Sequence, residues 1–177
     1  RHPLLSILTG PFARLSGQNS DPAGDFRIID FDREPVYLRV FVDSDNFGPS
    51  YLDSLEAAYP YVETDTIKFE ILNDLAYYWH TRSLNKSLGL ATEGLEMARA
   101  TGNTLWEGRF QITQGATLLR MEKLDSAQAV LQKARKKVND EDLPLLLTQE
   151  GYIYERRGDL DMATEKAYEV LGLGERM

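Results

Sequence analysis

Cysteine is absent, and only two of the 177 residues are histidine. Without thiols there is no disulfide staple and no thiolate chemistry. His2 lies in the N-terminal tail, and His80 follows Trp79 with no HExxH pattern or carboxylate at ligand spacing, so no metal site is expected. Basic residues are also in the minority: 20 Lys and Arg stand against 28 Asp and Glu, for a net charge of −8 and a pI near 4.8. That balance disfavours a nucleic-acid surface, which needs a lysine- and arginine-rich face. It equally disfavours an anionic membrane surface. No apolar run approaches the length of a membrane-spanning helix.

The catalytic signatures are missing too. There is no GxxxxGK[ST] loop, and Gly172 and Gly174 in LGLGERM lack the third glycine and preceding strand of a dinucleotide site. Ser83 and Ser87 have no base at helical spacing. Glu93, Glu96, Asp140, Glu141 and Asp142 read as solvated faces. Asn85-Lys86-Ser87 has the spacing of a glycosylation acceptor, but it opens a helix. The sequence therefore points away from an enzyme and calls for no cofactor.

What is present is a hydrophobic fraction of 42%, enough to build a core, in a length that suits one domain. The organising stretch is GYIYERRGDLDMATEKAYEV, residues 151–170. Leu147, Gly151 and Tyr154 fall on one helical face, as do Leu160, Ala163, Ala167 and Val170 in the next run. Gly158 supplies a left-handed residue to end the first helix, and Asp159 can cap the second. Small residues at Gly151, Ala163 and Ala167 predict a close helix contact, with Tyr154 beside it.

The same hairpin is written again earlier. Gly115 and Gly151 are 36 residues apart, as are Ala127 and Ala163, with Leu118 in the place of Tyr154 and Glu122 in the place of Gly158. A third copy begins at Leu72, Ala76 and Trp79 and continues through Ser87, Leu88, Ala91 and Leu95, with a turn one residue shorter. Helix pairs at this period resemble the tetratricopeptide repeat. LNDLAYYW followed by NKSLGLATEGLEMARATGN looks like the first repeat of the domains at the front of bacterial sensor histidine kinases, cyclases and some transcription regulators. The resemblance covers roughly residues 50–177. It implies an all-α fold, a right-handed superhelical solenoid of helical hairpins, with repeats near 66–102, 104–139 and 142–177.

Residues 1–18 have a basic start, an apolar run and small Ser16 and Gly17, as at the end of a secretory signal peptide; otherwise they are a disordered tail. This favours a periplasmic or extracytoplasmic location, with the cytoplasm as the alternative. Residues 19–49 read as a linker and extended segment, in which Phe26–Phe31 and Val36–Val42 suit a short β-hairpin. Asp43–Gly48 resembles a calcium loop but puts Phe47 and Ser54 where oxygen ligands are required, so it reads as a polar turn. A short helix is expected over Tyr51–Ala58, stopped by Pro60. Helices are then expected near Asp65–Arg82, Asn85–Gly102, Thr104–Met121, Leu124–Val138, a run opened by Pro144, and Asp159–Leu171. With no polar capping helix after Gly172, residue 177 reads as a cut through a longer protein.

The resemblance also implies a concave groove lined by the first helix of each repeat. Its candidate partner-binding residues here are Asn73, Tyr77, His80, Ile112, Arg120, Thr148, Tyr152 and Arg156. The lysine and asparagine positions of the family's clamp for chaperone tails are not matched. Tyrosine and arginine anchors suit a protein or peptide partner, and a homodimer is left open. The expected function is a non-enzymatic interaction module, the sensory part of a bacterial signalling protein; the alternative is a scaffold or assembly factor built of repeats.

Overall fold

The computed structural model describes residues 55–57 and 59–174. The expected tail, linker, β-hairpin and polar turn over residues 1–49 lie outside the described residues. After a helical turn at residues 55–57 and a 3-10 turn at Tyr59–Tyr61 come six α-helices: α1 (Asp65–Trp79), α2 (Leu84–Ala100), α3 (Thr104–Arg120), α4 (Leu124–Arg135), α5 (Leu143–Arg157) and α6 (Leu160–Gly174). No strand occurs among the described residues, and the all-α expectation holds there.

Three helix ends are closed by the same local device. Asn103, Lys123 and Asp159 donate their backbone N–H to Ala98, Leu118 and Tyr154, at 2.8, 2.9 and 2.9 Å. One residue earlier, Gly102, Glu122 and Gly158 donate to Arg99, Leu119 and Glu155. This is the Schellman arrangement, which needs a left-handed residue at the second of those positions. Gly102, Glu122 and Gly158 supply it, at φ 69°, 58° and 78°. The next helix is then capped by a side chain: Asn103 Oδ1 accepts from Trp106 N at 3.2 Å, and Asp159 Oδ1 from Met162 N at 3.1 Å. The α1–α2 turn is the shorter one, as its sequence indicates. Arg82 N and Ser83 N both donate to Trp79 O, at 3.0 and 2.7 Å, so α1 stops at Trp79 rather than Arg82.

Consecutive helices pack on one another, and the first helices α1, α3 and α5 also touch in series. Between α1, α2 and α3 the core is Phe69, Leu72, Leu95, Ala98, Trp106 and Phe110. Its rings meet at centroid distances of 5.5 Å (Phe69–Trp106) and 5.7 Å (Trp106–Phe110), within the range where aromatic pairs attract. Between α3, α4 and α5 the core is Leu119, Ala127, Leu131 and Ile153, with Ile112, Ala134 and Leu146 beside it. Missing side chains set the closest helix contacts. A Cβ at Gly94 would lie 2.1 Å from Phe110 Cζ, and one at Gly115 would lie 2.6 Å from Leu131 Cδ2.

The last hairpin departs from expectation. A Cβ at Gly151 would meet Lys166 Cβ at 3.5 Å, an ordinary contact, and Ala167 is exposed. The tight approach is therefore at Gly94 and Gly115, not at Gly151, Ala163 and Ala167. Leu75 and Leu131 are buried, and Trp79, Leu88, Leu118 and Tyr154 are partly so. Leu160, whose spacing puts it on the apolar face of its helix, is 64% exposed. It opens α6, and no described helix covers it. α6 also continues past Gly172 to Gly174.

Candidate partner-binding surface

The eight sequence-derived residues do not share one wall. Three of them are interior. Ile112 packs in the core with Ala134 and Leu146. Asn73 is buried and accepts the Thr113 hydroxyl at 2.6 Å, tying α1 to α3. His80 is also buried, its Nδ1 bonded to the Tyr77 carbonyl. Side-by-side packing of α1, α3 and α5 puts these positions between helices rather than on a free face, which removes them as open contacts for a partner.

Of the others, Tyr77, Arg120 and Arg156 lie in the last turns of α1, α3 and α5, while Tyr152 and Thr148 sit further back on α5. Tyr77 stacks on His80 with ring centroids 4.1 Å apart. Arg120, exposed at the end of α3, comes near enough for its charge to act on His80. Burial is the main force lowering the pKa of His80; its backbone bond to Tyr77 opposes this, while Arg120 and Arg82 add to it. The imidazole is thus held neutral, which suits an N–H donor to Tyr77. On α5, Arg156 pairs with Glu122, the left-handed residue of the α3–α4 turn. Tyr152 is 49% exposed, and Thr148 spends its hydroxyl on the Pro144 carbonyl at 2.7 Å. The accessible chemistry is phenol and guanidinium, and the guanidiniums of Arg120 and Arg156 stand in last turns, where helix C-termini favour cations.

Other polar side chains went unseen in the sequence. Asp142, read as part of a solvated face, is buried and takes Arg109 Nε on both carboxylate oxygens, at 3.1 and 3.0 Å. Arg109 lies far off in sequence, so no local signal marks this pair. A second cluster lines a cleft of about 350 Å³ between α4, α5 and α6, with Gln128, Gln132, Lys136, Ile153 and Tyr154 around it. There Arg135 bonds Glu150 at 3.0 Å and Glu169 at 3.3 Å, and Lys166 bonds Glu169. Burial raises the Glu150 pKa against the pull of Arg135 and Lys166, whereas the Lys166 hydrogen bond lowers that of Glu169. These charges satisfy one another. The Ser87 hydroxyl is likewise occupied, bonded to Thr117 at 2.8 Å in the interior.

Among the described residues no group of three or more histidine, cysteine or acidic side chains could hold a metal ion, and no helix is long and apolar enough to cross a membrane. Comparison with protein-family models, with curated proteins and with solved structures gave no match to this chain.

Proposed function

We propose that this chain is a non-enzymatic protein- or peptide-binding module of tetratricopeptide-like hairpins forming a superhelical solenoid. One observation carries the reading. The left-handed residues Glu122 and Gly158 stand 36 residues apart, each closing the first helix of a hairpin by the same pair of backbone bonds. A side chain as ill-suited to that backbone as glutamate fits a repeated hairpin plan better than chance turn chemistry. The first helices offer Tyr77, Arg120, Tyr152 and Arg156, residue types that dominate binding hot spots. An acidic, extended peptide suits the arginines. A sensory role in a bacterial signalling protein, outside the cytoplasm, is the biological setting we favour for it.

The test is selection of a displayed random-peptide library on the 177-residue chain. We expect enriched peptides whose binding falls at least tenfold with Arg120→Ala or Tyr152→Ala, while the melting midpoint stays put. No enrichment, or binding indifferent to both substitutions, overturns the reading.

A further inference from the structure

Every described arginine has a carboxylate within ion-pair distance except Arg82 and Arg120, and both of these are exposed. The two stand at one end of the molecule. Two short turns give α1 and α3 the same direction, and the bond between Asn73 and Thr113 sets them side by side. Seven residues on, two turns along the same faces, come His80 and Arg120. Arg82 follows just past the end of α1 and rests on the Tyr78 ring at 3.8 Å. Its Nη1 is spent on the Tyr78 carbonyl and the Thr81 hydroxyl, at 3.1 and 3.2 Å, and its other nitrogens have no acceptor among the described residues. Both guanidiniums are close enough to His80 for their charges to act on it. Two like charges are thus gathered on one exposed face, in a chain whose net charge is −8.

The chain enters the described structure beside this face. Glu56 pairs with Lys86 at 2.7 Å, Lys86 precedes Ser87, and Ser87 is bonded to Thr117, about one turn before Arg120. Upstream, residues 40–67 contain no lysine or arginine, and Asp43, Asp45 and Phe47 alternate with Ser44 and Asn46. We propose that residues 43–47, which lie outside the described residues, dock on this face, with Asp43 and Asp45 on Arg82 and Arg120 and Phe47 against the tyrosines of α1. In extended form alternate residues share one side at about 7 Å, a spacing that suits two carboxylates on two guanidiniums. Asp45 lies ten residues before Leu55, a reach of roughly 30 Å, against about 10 Å between packed helices. Asp30 and Asp32, further upstream, lie among Arg27, Arg33 and Arg39 and suit a cationic face less well. A tethered segment also acts at an effective concentration on the order of millimolar, which a free polypeptide must outcompete. The inference rests on the reading of the first helices as a surface for acidic peptides. It adds a regulation of that surface, because the chain carries its own competitor for Arg120.

The absence of cysteine allows a single label. A nitroxide is attached at Ser44→Cys in the 177-residue chain, and the paramagnetic broadening of backbone amide signals is measured. We expect the amides of residues 80–82 and 119–121 to broaden most, and the effect to vanish with Arg82→Glu together with Arg120→Glu. Adding Asp43→Arg and Asp45→Arg to that variant should bring the broadening back, a charge swap that the tether alone would not produce. Arg82 and Arg120 are exposed, and unchanged helical circular dichroism confirms that the variants fold. Broadening centred elsewhere, broadening indifferent to the arginine substitutions, or a swap that fails to restore it overturns the proposal. So does broadening that passes from a labelled chain to a separate isotope-labelled one, because the contact then belongs to a second copy. The measurement uses no outside peptide, so docking can fail while the peptide-binding reading stands, and can succeed while that reading falls.

Discussion

Arg109 of α3 and Asp142, the residue before α5, form a nearly dry ion pair in which one Nε–H is shared between two carboxylate oxygens at 3.1 and 3.0 Å. Their side chains are 12% and 9% exposed, so water does little to screen them. The guanidinium also lies over the Trp106 ring at 4.9 Å, which joins the pair to the aromatic core. Removing one partner of such a pair leaves the other charge buried. Arg109→Met should cost about 3 kcal/mol in urea unfolding. Adding Asp142→Leu should return much of that loss. A single-variant cost below about 1 kcal/mol would mean that water reaches Asp142.

Glu122 occupies a left-handed site at φ 58°, where a side chain costs roughly 1–2 kcal/mol relative to glycine. Its ion pair with Arg156 is more than half exposed at both ends and returns little of this. Glu122→Gly should therefore stabilise the chain by about 1 kcal/mol, and Gly158→Ala should destabilise it by a similar amount. Thermal midpoints moving in opposite directions are the expected result.

The close contacts can be tested one methyl group at a time. Gly94→Ala and Gly115→Ala force a carbon into Phe110 and Leu131 and should each cost about 1–3 kcal/mol. Gly151→Ala meets only ordinary contacts. It should be neutral or stabilise by up to about 1 kcal/mol through helix propensity. Equal costs at all three sites would contradict the packing described for α5 and α6.

The fold holds His80 neutral, with its pKa below the ordinary value of 6.5. The unfolded chain then binds more protons between the folded pKa and 6.5, so stability is full above 6.5 and is lost as the pH falls through that interval. Glu70 and Glu150 act the other way. Burial raises both pKa values, so their contribution declines as the pH rises just above 4.5. We expect the melting midpoint to drop on acidification from pH 7, and His80→Gln to remove the part of that drop nearest 6.5. An unchanged profile in the variant would assign the drop to other groups.

The hairpins were legible because their punctuation is local. Gly102-Asn103 and Gly158-Asp159 announce a left-handed stop followed by a cap, and the 36-residue offset carries the same reading to Glu122. The depth of a side chain was not legible in this way. Whether Asn73, His80 and Ile112 line a groove or sit between helices depends on how closely α1, α3 and α5 approach, and no single helix encodes that spacing. Asp142 looked solvated because its partner lies on another helix. Leu160 looked buried because its counterpart Leu124 lies on a strip that is covered, while nothing described covers α6.

The pattern of helix neighbours bears on how the chain acquires its shape. Each described helix packs on its neighbours in sequence, the first helices α1, α3 and α5 also touch one another in series, and no pair further apart makes substantial contact. Native contacts therefore join residues close in sequence, the condition under which small domains fold fastest. No single long-range closure has to be won before the others become favourable. Cohesion is then handed along from one hairpin to the next, and its local value follows the number of faces each helix has covered. α3, held between neighbours on both sides, is the keystone of the described chain. α6, gripped chiefly by α5, contributes no residue to the aromatic cluster around Phe110.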